Sequence, residues 1–221
     1  MFKLRPTVRC VCIFFLGTLV VSGNPVCGSS NQNSKTVRIL AFGDSLTSGY
    51  RLNPEQAYPK LLEKELHKRG LKNLEILNAG VSGDTSSQGL RRIQWTLKNG
   101  PFDYVLVALG ANDGLRLLPP KNLESNLEKT ILEFKKTGAK VILVGIKIPI
   151  NLDPDFRKQF ESIYPRLAKK MNLPFYPFLL EGVAADPELN LDDQIHPNSQ
   201  GHEVIAQKLS DFLFEILKDH R

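Results

Sequence analysis

The run Tyr104-Val-Leu-Val-Ala-Leu109 is apolar from end to end, and a strand with no polar face has to be covered on both sides. Val37–Phe42 and Val141–Gly145 read almost as apolar, and Leu74–Leu77 and Pro174–Tyr176 are shorter runs of the same kind. Between them lie amphipathic stretches, Ala57–Arg69, Ser87–Leu97, Leu123–Lys136, Phe156–Met171 and Ser199–Leu217. In the last, Val204, Ile205, Leu209, Phe212, Leu213 and Ile216 recur at helical spacing. Buried strands alternating with helices build a parallel sheet covered on both faces. The expected fold is a three-layer α/β/α sandwich with a central parallel five-stranded sheet. Trp95 falls on the apolar face read for its helix and is expected in the core.

The beginning of the chain has a different composition. Lys3, Arg5 and Arg9 precede the apolar run Val11–Val21, which is followed by Ser22 and Gly23. That is the three-part pattern of a secretory signal peptide over residues 1–23, and it implies export to the periplasm or the medium. Residues 24–35 are polar and turn-forming and read as a linker; residues 36–221 read as a single domain. The formal charge of +6 falls to +3 without the three leader cations. No basic tract interleaved with aromatics argues for nucleic acid. Cleavage would remove Cys10 and Cys12, leaving Cys27 alone and no internal disulfide. The mature chain has no run that reads as a stable membrane span, and a monomer is expected.

In parallel sheets of this kind, ligands bind outside the carboxyl ends of the strands. The loops there carry Ser45 after the first strand, Asn78-Ala-Gly-Val-Ser-Gly-Asp84 after the second and Gly110-Ala-Asn-Asp113 after the third; Asp192-Asp-Gln-Ile-His196 enters the last helix. Each is an ordinary turn sequence taken alone. Their coincidence at one rim favours a site for acyl transfer. A serine hydroxyl needs a base, and an imidazole held by a carboxylate is the usual one. Asp193 stands three residues before His196, with Asp192 as the competing carboxylate. The backbone N–H groups of Ser45 and Gly83 and the Asn112 amide could serve a developing oxyanion.

The blocks Gly43-Asp-Ser-Leu46 with Gly49-Tyr50, Gly80-Val-Ser-Gly-Asp-Thr85, Leu109-Gly-Ala-Asn-Asp-Gly-Leu-Arg116 and Asp193-Gln-Ile-His-Pro197 occur in that order. Together they resemble those of the SGNH (GDSL) hydrolases, and within them the bacterial thioesterase, lysophospholipase and arylesterase branch. The resemblance spans most of residues 37–217. It implies Ser45 as nucleophile, His196 as base, Asp193 as its partner, and Ser45, Gly83 and Asn112 as the oxyanion hole. Ala111 stands where close relatives often have a second glycine. Thr47 breaks the G-x-S-x-G elbow, which argues against a standard α/β-hydrolase.

Asp44, Asp84 and Asp113 read as turn-fixing carboxylates. His67, His202 and His220 have no convincing partners, so neither a metal nor a cofactor is expected. The segments Gly114–Pro120 and Ile146–Leu152 are rich in apolar residues at the active rim, and Leu115, Leu117, Leu118, Ile148 and Pro149 are the expected acyl-binding residues. The substrate is expected to be a small-molecule acyl ester or thioester. A carbohydrate O-acetyl esterase, a phospholipid-directed lipase or a non-catalytic module of the same fold are the competing readings.

Overall fold

The computed structural model describes residues 1–2 and 35–220. The expected signal peptide, the linker up to residue 34 and Cys27 therefore lie outside the described residues. The chain divides into Met1–Asn33 and Ser34–Arg221, and all that follows concerns the second unit.

Five strands, β1 (Val37–Gly43), β2 (Leu74–Gly80), β3 (Tyr104–Ala108), β4 (Lys140–Val144) and β5 (Phe175–Tyr176), pair in the order β2-β1-β3-β4-β5, all parallel. Parallel neighbours require crossover connections, and helices supply them. The helices are α1 (Ser45–Ser48), α2 (Tyr58–Lys68), α3 (Ser86–Thr96), α4 (Ala111–Leu115), α5 (Pro120–Lys136), α6 (Pro154–Glu161), α7 (Ile163–Met171) and α8 (Ser199–Leu217), the last of which follows β5 and joins no strands. α2 packs on α8, whereas α3 packs on α5, which also meets α6 and α7. These two groups are the outer layers of the expected sandwich. The centre of the middle layer is buried: Leu40, Phe42, Val105, Leu106, Val107, Ile142 and Leu143 expose nothing.

Three details depart from the sequence reading. Trp95 is 65% exposed, because the buried face of α3 is set by Gly89, Ile93 and Thr96. Two residues from Ile93 is about 200° around a helix, which turns Trp95 to solvent. The single helix read over Phe156–Met171 is two, broken at Ser162; Pro165 lacks an N–H and its ring collides with the carbonyl four residues earlier, at Glu161. β2 continues to Gly80 through the residues read as a turn, pairing Gly80 with Gly43. Glycine is required there, since a Cβ on Gly80 would collide with the Ser48 N–H and the Thr47 carbonyl carbon.

Strand order reverses about β1 and β3, which leave the sheet side by side with Gly43 opposite Ala108. The crevice outside such a reversal is where α/β sheets bind ligands. Ser45 lies two residues beyond one strand and Asn112 four beyond the other.

Candidate active site

Ser45 opens α1, and its neighbour Asp44 caps that helix by accepting from the Leu46 N–H at 3.1 Å. The first N–H groups of a helix have no partner within it, so the Ser45 N–H is available at the crevice. Asp44 is fully buried, its Oδ2 is without a hydrogen-bond partner among the described residues, and burial pushes its carboxyl up to about 7.

The loop before α8 supplies the other two groups. His196 Nε2 lies 2.9 Å from Ser45 Oγ, and its Nδ1 lies 2.8 Å from Asp193 Oδ2. Asp193 Oδ1 accepts from the N–H groups of Ile195 and His196 at 3.0 and 2.9 Å. Desolvation is the largest single influence on the Asp193 carboxyl and raises it, but the two N–H groups and the imidazole together outweigh it and hold the carboxyl down at about 2. An imidazole fixed in this way presents Nε2 to a hydroxyl as a proton acceptor. Asp192 is exposed and makes neither contact. The Tyr50 ring packs on the imidazole with centroids 4.4 Å apart, and the Tyr50 N–H donates to the Ser45 carbonyl at 3.2 Å.

Gly83 takes φ +85°, the left-handed region that favours glycine, in the loop after β2. The Asn112 Nδ2 donates to the Asp84 carbonyl at 3.0 Å; an amide has two N–H groups, so one remains for a ligand. Ser86 in turn donates to Asp113 from its N–H at 2.7 Å and from its hydroxyl at 2.5 Å. These bonds lock α4, which carries Asn112, to the segment that carries Gly83. Ser45, Asn112 and His196 stand at one wall of a groove of about 720 Å³ whose apolar lining includes Leu115, Ile146, Ile148, Pro149, Phe178 and Leu180. Lys147, Asn151, Arg157, Glu161, Asn190 and Gln194 are further polar residues of its wall.

Of the expected acyl-binding residues, Leu115, Ile148 and Pro149 line the groove, and Leu117 and Leu118 are not among its lining residues. Of the segment 114–120, only Gly114 and Leu115 belong to α4; residues 116–119 are turn and irregular chain. α4 carries Leu115 to the groove, after which Leu117, at φ +52° and 57% exposed, turns the chain away. Leu118 lies against a separate polar pocket with Ser87, Asp113 and Asn126. The sequence reading missed Phe178, Leu180 and Tyr50. The first two follow the carboxyl end of β5, where a ligand loop is expected, and Tyr50 belongs to the first block. Among the described residues no group of three His, Cys, Asp or Glu side chains comes together for a metal. His67 meets the Leu74 carbonyl, His220 the Tyr104 hydroxyl, and His202, held down at about 4 by burial, accepts from the Tyr58 N–H.

A parallel sheet with Ser45, His196 and Asp193 hydrogen-bonded in sequence at its strand reversal is the arrangement of a serine hydrolase of the SGNH class. The GDSL-like lipase/acylhydrolase family matches residues 41–204. The chain is 38% identical over 188 residues to an arylesterase of Vibrio mimicus, covering 85% of this chain and 94% of that one. It is 39% identical over 168 residues to thioesterase 1/protease 1/lysophospholipase L1 of Escherichia coli K12, covering 76% and 79%. The structure of the psychrotrophic esterase EstA from Pseudoalteromonas sp., inhibited by monoethylphosphonate, superposes with a TM-score of 0.77 at 31% identity, over 82% of this chain and 98% of that one. This chain belongs to the GDSL-like lipase/acylhydrolase family and is an ester hydrolase.

Proposed function

We propose that the protein is an exported serine esterase and thioesterase that cleaves small acyl esters or thioesters through an acyl-enzyme on Ser45. The observation that carries this reading is the unbroken chain Ser45 Oγ–His196–Asp193 at the wall of an apolar groove. As His196 Nε2 takes the hydroxyl proton, Ser45 Oγ bonds to the acyl carbon. The carbonyl oxygen gains negative charge and is met by the N–H groups of Ser45 and Gly83 and the Asn112 amide. The bond to the leaving alcohol or thiol then breaks, and His196 returns the proton to it. Water repeats the sequence on the acyl-enzyme and releases the acid.

The apolar lining favours acyl chains over acetylated sugars, which call for polar forks and aromatic platforms. The relatives named arylesterase and thioesterase/lysophospholipase support the substrate class, and the phosphonate inhibition of EstA supports a nucleophilic serine. Export rests on the leader pattern of residues 1–23. The protein is read as a monomer. The test is Ser45→Ala together with a fluorophosphonate probe: the variant should lose ester hydrolysis while its circular dichroism is unchanged, and the probe should label Ser45 in the parent. Turnover by the variant, or an adduct on another residue, would sink the reading.

A further inference from the structure

Five of the eight described arginines face a carboxylate: Arg38 meets Glu75, Arg69 Asp211, Arg92 Asp84, Arg157 Glu161 and Arg166 Glu124. Arg51, Arg91 and Arg116 have no such ion pair among the described residues, and two of these three border the Ser45 site. The Arg51 guanidinium lies 5.1 Å from the centroid of the Tyr50 ring, the ring that packs on His196. Arg116 Nη2 donates to the Gly83 carbonyl at 3.1 Å. Both are exposed. The Asp113 carboxyl feels the Arg116 charge, but it is buried and taken up by Ser86. Arg51 also holds φ +60°, a region that few residues other than glycine adopt.

The sidedness of the site gives these cations a use. Ser45, Asn112, Leu115 and His196 line the apolar groove, whereas Tyr50, Arg51, Gly83 and Arg116 do not. With the acyl chain in the groove, the leaving group departs beside His196 Nε2, toward the loops of Tyr50 and Gly83. We propose that Arg51 and Arg116 form a leaving-group subsite that selects leaving groups carrying a phosphate. This rests on the reading of Ser45 as the nucleophile. Guanidinium N–H groups match phosphate oxygens in geometry and charge, and here they are not already spent on a carboxylate. A thiol on a phosphorylated nucleotide carrier and a lipid headgroup with a phosphodiester both place a phosphate beyond the scissile bond.

The test compares substrates that share an acyl chain and differ in leaving-group charge. One pair is lauroyl-coenzyme A against the lauroyl thioester of N-acetylcysteamine; the other is lauroyl lysophosphatidylglycerol against monolaurin, all below aggregation. The quantity read is the kcat/KM ratio of charged to neutral substrate within each pair. Arg51→Gln and Arg116→Gln should each lower that ratio roughly tenfold, the worth of one charge-assisted hydrogen bond. Arg51→Lys should keep most of it, and high salt should lower it in the parent. A fall confined to the thioester pair assigns the nucleotide carrier, and one confined to the lipid pair assigns the headgroup. Unchanged ratios in both pairs would overturn the subsite while leaving the nucleophile intact. Failure of the underlying reading would look different, with Ser45→Ala still cleaving the neutral substrates.

Discussion

Arg92 and Asp84 form a buried ion pair that braces the site from below. Arg92 Nε donates to Asp84 Oδ2 at 2.5 Å, and Nη2 donates at 2.8 Å to the carbonyl of Gly43, two residues before Ser45. The guanidinium also lies 4.1 Å from the centroid of the Phe42 ring. Asp84 follows Gly83 in the chain, and its own carbonyl accepts from Asn112. One pair therefore sets the spacing of the Ser45 turn, the Gly83 N–H and the Asn112 amide.

Replacing Arg92 by Met strands the Asp84 carboxylate, whose side chain is only 9% exposed. Removing one partner of a buried pair costs about 3–5 kcal/mol of stability. Activity should fall mainly in kcat, because oxyanion donors act in the transition state more than in substrate binding. Arg92→Lys can reach only one of the two acceptors and should be intermediate. Urea unfolding and steady-state kinetics on p-nitrophenyl butyrate read both effects. A Met variant with parental kcat would mean that the donors keep their places without the pair.

The two adjacent carboxylates should separate cleanly. Asp193 holds both the imidazole and the backbone of its own loop, whereas exposed Asp192 touches neither. His196→Ala should cost as much as Ser45→Ala, and the double variant hardly more, since the groups act as one unit. Asp193→Asn should be strongly impaired in kcat and Asp192→Asn close to parental. The reverse ranking would move the partner role to Asp192.

Chain-length preference should follow the groove and not the whole segment after Asn112. Each buried methylene contributes about 0.8 kcal/mol, so lost contact with two of them costs roughly tenfold. Leu115→Asn and Ile148→Asn should therefore depress kcat/KM on decanoyl esters about tenfold more than on acetyl esters. Leu117→Asn should change both alike, because Leu117 faces solvent. Selective loss on long esters in the Leu117 variant would bring that residue back to the groove.

The strands and the four polar blocks could be read from the chain because both rest on local signals. An apolar run such as Tyr104–Leu109 allows only a covered strand, and Asp193 and His196 are close enough in sequence for their contact to be local. What escaped depends on direction. Trp95 and Leu117 are apolar, but their orientation is decided by the buried face of α3 and the left-handed turn after α4. The Arg92–Asp84 brace is local in sequence, yet its reach to Gly43 exists only because β1 and the loop after β2 end together. The helix break at Ser162 is legible in Pro165, which a helix interior does not accommodate without a kink or a break.

Asp44 gives the fold a pH dependence that can be isolated. Burial pushes its carboxyl from 3.8 to about 7; the carboxylates of Asp113 and Asp84 push the same way, and the N–H groups of Leu46 and Ala111 oppose them. A folded value above the unfolded one means that the native state binds the proton more tightly between the two. Stability contributed by this group is then fully present below about pH 4, is lost as pH rises toward about 7, and stays lost above it. Asp44→Asn cannot ionise and keeps an oxygen for the Leu46 N–H. The stability of this variant relative to the parent should rise across that window by roughly 2–4 kcal/mol and then level off. Asp113, also raised by burial, is present in both proteins and largely cancels in the difference. Urea unfolding of parent and variant over the same pH series measures it. A difference that stays flat would mean that Asp44 is ionised in the fold throughout, and that the burial of its Oδ2 is compensated by groups other than those named here.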